Sequence, residues 1–249
     1  MHASIRFALG AVAALVVGCT AASDKPSATG NGVAHPDIWP QYKYPVPRDP
    51  AVEAQIADLL KRMTLEEKIG QLVQADLGSV TPADMKKYHL GSMLVGGNSG
   101  PNGNDFSPAP DWLKTADAFY LASVDKSDGG VGIPEIWGID AVHGHANIIG
   151  ATVFPHNIGL GAMRDPGLIE KIGAATAQEV RVTGQEWTFA PTVTVPQDYR
   201  WGRAYEGYSS DPKLVASDVG AMVRVLQGPP DQPDLLAGDN VLAWTKDFV

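Results

Sequence analysis

The stretch E-I-W-G-I-D-A-V-H-G-H, Glu135 to His145, decides how the chain reads. Pro134 precedes it, and Ile136, Trp137 and Ile139 make a short apolar run bounded like a buried strand. The run ends abruptly in Asp140, and His143, Gly144 and His145 follow. A buried strand that ends in a carboxylate and two imidazoles has stopped building core. In a parallel α/β sheet, that is the edge where sites are placed.

Working outward, four more short apolar runs read as strands, near residues 72, 91, 187 and 241. Helical patterns lie between them. Ala51 to Met63 carries an apolar stripe of Val52, Ile56, Leu59 and Leu60. Thr64-Leu65-Glu66-Glu67 is a capping box that opens a second helix. Thr81-Pro82, Asp165-Pro166 and Asp211-Pro212 each pair a capping side chain with proline in the first turn. Asp111 to Val124 places Trp112, Leu113, Ala116, Phe119 and Tyr120 on one side. The segment from Phe154 through Gly161 reads as a glycine-punctuated loop. Strands alternating with helices predict parallel βαβ units. The fold class this indicates is α/β, with five strand candidates. No Gly-x-Gly-x-x-Gly follows a strand into a helix, and no phosphate-binding loop of the Walker type is present, so a nucleotide cofactor has no support.

The chain has 249 residues, 44% of them hydrophobic and 19% charged, with a formal net charge of -9. It has no basic run, which argues against nucleic acid as a partner. At the N-terminus a weakly basic start precedes the apolar Phe7 to Val17, too short to span a bilayer as a mature helix. It leads into Gly18 and Cys19, the one cysteine of the chain. A small residue before cysteine at this point has the pattern of a bacterial lipobox, with Cys19 lipidated. An ordinary secretory signal cut near Ala22 is the alternative. Both readings mean export, to the periplasm or as an outer-membrane-anchored lipoprotein, with membrane contact only through Cys19. The organisation expected is a signal peptide over 1–18, a tether with a proline-rich lead-in over 19–48, and the folded α/β domain over 49–249.

The polar residues fall just after strands. Asp140 and His143 follow the third. Asp198, Arg200, Arg203 and Glu206 follow the fourth, and Lys246 and Asp247 lie late in the fifth. In a barrel these loops open on one face. Carboxylates and cations side by side suit a neutral polyhydroxylated ligand, whose hydroxyls both donate and accept. Trp201, Tyr205 and Tyr208 offer flat faces for a sugar ring. Each residue also has a structural alternative. Asp140 can cap a turn, His143 and His145 can brace their loop, Arg203 can pair with Glu206, and Arg164 with Asp165. Zinc held by His143, His145 and His156 is a further alternative. Against it, the domain has no cysteine and no histidine beyond His156.

G-I-D-A-V-H-G-H (138–145), A-T-V-F-P-H-N-I-G-L-G-A-M-R-D-P (151–166) and R-W-G-R-A-Y-E-G-Y-S-S-D (200–211) resemble glycoside hydrolase family 3, in its exo-β-glucanase and β-glucosidase branch. R-M-T-L-E-E-K-I-G-Q-L (62–72) and G-S-M-L-V-G-G (91–97) match the family's opening. The resemblance runs from about Asp49 to the last residue. It implies a (β/α)8-like first domain, present here as an incomplete TIM-barrel-like α/β domain with about five of eight strands, then a second α/β domain, and retaining hydrolysis of terminal β-glucosyl units without a cofactor. It also implies that Asp140, Arg203 and Lys246 bind sugar hydroxyls of a β-glucoside or β-glucan oligosaccharide; His143, Glu206 and Asp247, beside them, are expected as supporting residues. The family's nucleophile lies on a later strand and its acid/base usually in the second domain. The chain is therefore expected to be an N-terminal part without the catalytic pair, inactive by itself, poorly soluble, and with both sheet edges unpaired. A non-catalytic glucan-binding lipoprotein is the other reading. Two positions depart from the family's pattern. Its Lys-His-Phe is Lys246-Asp247-Phe248 here, where Asp247 is expected to pair with Lys246, and its Glu-Ser is Glu206-Gly207.

Overall fold

A computed structural model describes residues 48–95, 99–229 and 237–247. The expected signal peptide, Cys19 and almost all of the tether lie outside the described residues, as do Gly96, Gly97 and Phe248. Among the described residues, five strands form one parallel sheet: β1 (Gln74–Asp76), β2 (Ser92–Val95), β3 (Ile136–Ile139), β4 (Trp187–Thr188) and β5 (Leu242–Ala243). Each pairs with the next in chain order. Ser92 stands opposite both Gln74 and Ile136, and Trp187 opposite both Gly138 and Leu242. A doubly wound sheet reverses its strand order at a switch point. This one steps in a single direction throughout, as a (β/α)8 barrel does. The described residues are α/β with five parallel strands, as the alternation of strands and helices predicted, and they stand in the barrel order that the family resemblance implied.

Seven helices are described: α1 (Pro50–Arg62), α2 (Leu65–Gly70), α3 (Pro82–Tyr88), α4 (Ala109–Val124), α5 (Asn157–Met163), α6 (Pro166–Arg181) and α7 (Pro212–Gln227). Local chemistry starts most of them. Thr64 and Glu67 close a reciprocal capping box on α2, and Thr81 and Asp84 do so on α3. Asp165 accepts from Leu168 N at the start of α6, and Asp211 from Lys213 N at the start of α7. Proline at the first turn of α1, α3, α6 and α7 gives up an N–H that has no helical partner there.

The central strand β3 buries Trp137, Gly138 and Ile139 in succession, so both of its faces are covered. Trp137 meets Phe119 of α4 edge-on at 5.5 Å. A Cβ on Gly138 would come within 2.4 Å of the Phe189 ring, so only glycine lets that ring lie across the strand. α6 and α7 pack together through Ile169, Ile172, Met222 and Leu226, all buried.

Several expectations are corrected. Residues 157–163 form α5 rather than a loop, since His156 caps the segment through Nδ1 at 3.0 Å from Asn157 N. Its glycines serve packing: a Cβ on Gly161 would stand 1.8 Å from the Tyr208 carbonyl oxygen. Leu113 and Tyr120 stay exposed, leaving Trp112, Ala116 and Phe119 as the buried face of α4. The stripe of α1 is largely uncovered among the described residues, with Val52, Ile56 and Leu60 exposed and Leu59 half-buried. The fourth and fifth strands are two-residue ladders, shorter than their apolar runs.

At the N-terminal edge of the sheet, Glu135 and Glu186 stand immediately before β3 and β4. Glu135 is buried, and Glu186 accepts from Trp137 N at 3.3 Å. Arg181 lies 3.8 Å from Glu186. Burial, reinforced by the charge of Glu186, pushes the Glu135 carboxyl up to about 8. A carboxyl raised in the folded state adds stability below its unfolded pKa, and that contribution is lost as pH rises through the folded value. Unfolding free energy should therefore fall between pH 5 and pH 8 by about 3 kcal/mol from this group. Glu135→Gln should remove most of that slope in urea titrations at the two pH values. An unchanged slope would assign it to other groups.

Candidate functional site

β3 delivers Asp140 to the C-terminal edge of the sheet. Ala141 turns the chain at φ 40, and Thr188 of β4 donates to the Asp140 carbonyl at 2.9 Å. From the far side of the sheet, the chain after β5 is pinned by Lys246 N to Pro191 O at 3.0 Å and by Val193 N to Lys246 O at 2.8 Å. These bonds bring Lys246 Nζ to 2.5 Å from Asp140 Oδ1. The two residues are 106 positions apart in the chain.

A second charged group sits beside the first. Arg203 grips Glu206 with Nε and Nη2 at 2.5 and 2.7 Å. On its other side, Nη2 and Nη1 reach Asp247 at 3.0 and 3.4 Å. The short 3-10 turn Ala204–Glu206 that carries this group is anchored through the Glu206 carbonyl. That oxygen accepts from Thr192 Oγ1 at 2.5 Å and from Asn157 Nδ2 at 2.9 Å. Asn157 also donates to Thr192 Oγ1 at 2.8 Å. Fork geometry and charge hold the Glu206 carboxylate below the usual range, chiefly through the hydrogen bonds of Arg203.

Asp140, His143, His156, Arg203, Glu206 and Lys246 line one open cleft of about 300 Å³. The side chains of Asp140 and Arg203 are 46% and 44% exposed, so a ligand can reach both. His143 Nδ1 lies 2.9 Å from the Phe154 carbonyl, an oxygen that only accepts, which places the proton on Nδ1. The His143 and His156 rings pack at 4.4 Å, and Tyr205 meets His156 edge-on at 4.6 Å. Burial, with the neighbouring His143 adding to it, lowers the pKa of His156.

The structure thus brings Asp140, Arg203, Lys246, His143, Glu206 and Asp247 to one place, and leaves others out. His145 points inward, with Nε2 2.9 Å from Thr183 Oγ1, and burial lowers it to about 4. It does not face His156, and no cluster of three or more metal-ligating side chains occurs among the described residues. Asp247 does not pair with Lys246 as expected. Its backbone turns at φ 57 and sends the carboxylate to Arg203, while Asp140 takes Lys246. Arg200 and Asp198 pair with each other in solvent, outside the cleft. Tyr208 is buried and offers no face to a ligand. Asp165 caps α6 instead of pairing with Arg164, whose charge acts on Asp218. Reading the sequence missed Asn157 and Thr192. Both are buried polar residues whose only signal was their place beside the motifs.

Removing the guanidinium would leave the Glu206 carboxylate, 10% exposed, without its partner. Arg203→Met should cost about 1–2 kcal/mol at pH 7, less than a fully buried pair because Arg203 is half open to water. A carboxyl with a depressed folded pKa contributes stability above its unfolded pKa and loses it as pH falls. The difference between wild type and variant should therefore shrink at pH 4, as read by chemical denaturation. A gap that widens on acidification would contradict this account of Glu206.

Comparison with known proteins places these residues in context. The family model described as the glycosyl hydrolase family 3 N terminal domain matches residues 64–249. The periplasmic beta-glucosidase of Salmonella typhimurium is 34% identical over 178 residues, 72% of this chain and 21% of that protein. The lysosomal beta glucosidase of Dictyostelium discoideum is 29% identical over 187 residues, covering 70% and 22%. The crystal structure of exo-1,3/1,4-beta-glucanase from a Pseudoalteromonas species superposes with a TM-score of 0.78 at 54% identity, covering 82% of this chain and 25% of that one. The chain spans between a fifth and a quarter of the length of these relatives.

Proposed function

The chain belongs to glycosyl hydrolase family 3, and from that premise we propose that the Asp140 cleft is the subsite that holds the terminal glucosyl unit of a β-glucoside or β-glucan. The observation that carries the reading is the Asp140–Lys246 pair at 2.5 Å, drawn from two distant strands into an open cleft. A half-exposed carboxylate beside a partly buried ammonium suits vicinal hydroxyls, one donating to Asp140 and the next accepting from Lys246. Arg203, held in place by Glu206 and Asp247, presents a fixed cation to a neighbouring hydroxyl. The names of the relatives, beta-glucosidases and an exo-1,3/1,4-beta-glucanase, support glucose as the unit bound.

The reaction proposed for the family member is retaining hydrolysis, which needs two carboxylates about 5–5.5 Å apart. Neither Glu206 nor Asp247 suits those roles. Both are held on Arg203, and Glu206 is kept ionised, the wrong state for a proton donor. The 249 residues alone are therefore proposed to bind sugar without turning it over. Export is proposed from the apolar N-terminal stretch and from the relative described as periplasmic. Lipid on Cys19 belongs to the same proposal. Cys19→Ser should move the protein from the membrane fraction to the soluble fraction of bacterial cells, and retention in the membrane would refute the anchor.

Calorimetric titration with glucose should give saturable heat. Each charged hydrogen bond is worth about 1.5–3 kcal/mol, so Asp140→Ala should weaken binding by roughly 10- to 100-fold. An aryl β-glucoside should bind without release of its aryl group. Absence of saturable heat from the wild-type chain would sink the reading, and steady aryl release would sink the claim of binding without turnover.

A further inference from the structure

We propose that the mouth of the sheet carries a second sugar-binding groove. It leads from the Asp140 cleft past Ser99, Gly100 and Asp105 to the space between α3 and the first half of α4. There it holds the outer units of a β-glucan chain. The inference rests on the reading of Asp140 as the terminal-sugar site and adds the substrate's length to it.

Three cavities lie in sequence along the C-terminal edge. The Asp140 cleft shares Ala146 and Asn147 with a neighbouring cavity of about 120 Å³. That cavity shares Gly100 with a third, of about 550 Å³. The third opens where β1 and β2 end, so it faces the same side as Asp140. Its volume falls in the range of about 300–1,000 Å³ usual for small-molecule sites.

The walls are built rather than incidental. The Asp76 carboxylate ends β1 and accepts from Ser99 Oγ at 2.9 and 3.0 Å and from Gly78 N at 2.8 Å, tying the two rim loops together. Asp105 accepts from Gly100 N at 3.1 Å. Trp112 Nε1 donates to Ser107 O at 3.2 Å, fixing the loop to α4. A rim with these bonds already made loses little freedom when a ligand arrives.

The lining fits a neutral sugar chain. Asp111, Lys114 and Asn102 supply a carboxylate, an ammonium and an amide, while Leu77 and Val80 supply apolar surface. A glucan presents the same mixture, with hydroxyls at its edges and C–H groups on its ring faces. A polyanion would meet a chain of net charge -9 and no basic run in this lining.

The test compares β-1,3- and β-1,4-linked glucose dimers and hexamers by calorimetry on the 249-residue chain. The hexamer with the suitable linkage should bind about fivefold tighter than its dimer, the gain expected from one further net hydrogen bond. Ala118 is an exposed residue of α4 that lines the third cavity. Ala118→Trp should fill the groove and abolish the hexamer's advantage while leaving the dimer unchanged, and Lys114→Ala should reduce the advantage. Equal affinity for dimer and hexamer in the wild type would overturn the groove and leave the Asp140 site standing. So would an advantage that survives Ala118→Trp. If no sugar binds, the Asp140 reading fails first and the groove falls with it.

Discussion

Parallel pairing in strict chain order is the constraint on which the rest depends. Each strand pairs with its successor, so every strand must be re-entered from the same end of the sheet. The five C-terminal ends then lie along one edge, and the loops that leave them share one space. Asp140 and Lys246 meet for this reason. Neither residue is placed by local chemistry alone. Asp140 is where β3 stops, and Lys246 is where the bonds to Pro191 and Val193 hold the chain beyond β5. A single strand out of order would separate them.

The two charged groups of the cleft are built differently. Asp140 and Lys246 form one pair, half-exposed on the Asp140 side, with capacity left for further hydrogen bonds. Arg203 is clasped by two carboxylates, and its turn is secured from beneath by Asn157 and Thr192. An arginine so held makes a fixed cation and not a mobile one, because reorienting it breaks several charged hydrogen bonds at once. Asp247 adds to that fixing. It also adds a negative charge beside a cleft that already holds Asp140 and Glu206, which favours neutral ligands over anionic ones.

Fold class was legible because it rests on features that repeat along the chain. Capping residues and prolines marked α2, α3, α6 and α7, and apolar runs marked all five strands. The site was legible as a set of positions, since polar residues crowded where apolar runs ended. The partnerships within it were not. Asp247 follows Lys246 in sequence, which suggested a pair, but a left-handed backbone turn and the nearness of Arg203 decide otherwise. Tyr208 looked like a sugar platform, yet packing against α5 buries it, with its carbonyl in the space that the glycine at 161 leaves open. α5 itself was hidden because its glycines read as loop, while the cause of the helix is a histidine cap and a close approach across the fold. Such outcomes depend on residues distant in the chain, which periodicity does not encode.

The two edges of the sheet place their carboxylates under opposite physics. At the N-terminal edge, Glu135 is buried beside Glu186, and removal from water pushes it toward its neutral form. At the C-terminal edge, Glu206 is ringed by cations and kept charged, and Asp140 stands open beside a lysine. A carboxyl pushed toward its neutral form in a packed layer costs stability as pH rises and offers a ligand nothing. A charged carboxylate in a wet cleft contributes little to stability, because screening erodes the ion pair, and it offers a ligand a strong acceptor. Moving Asp140 inward would strengthen its pair with Lys246 at the expense of ligand access. On the proposed reading of the cleft, its half-exposed position leaves the pair weak enough for a sugar hydroxyl to enter and ordered enough to select which hydroxyl does.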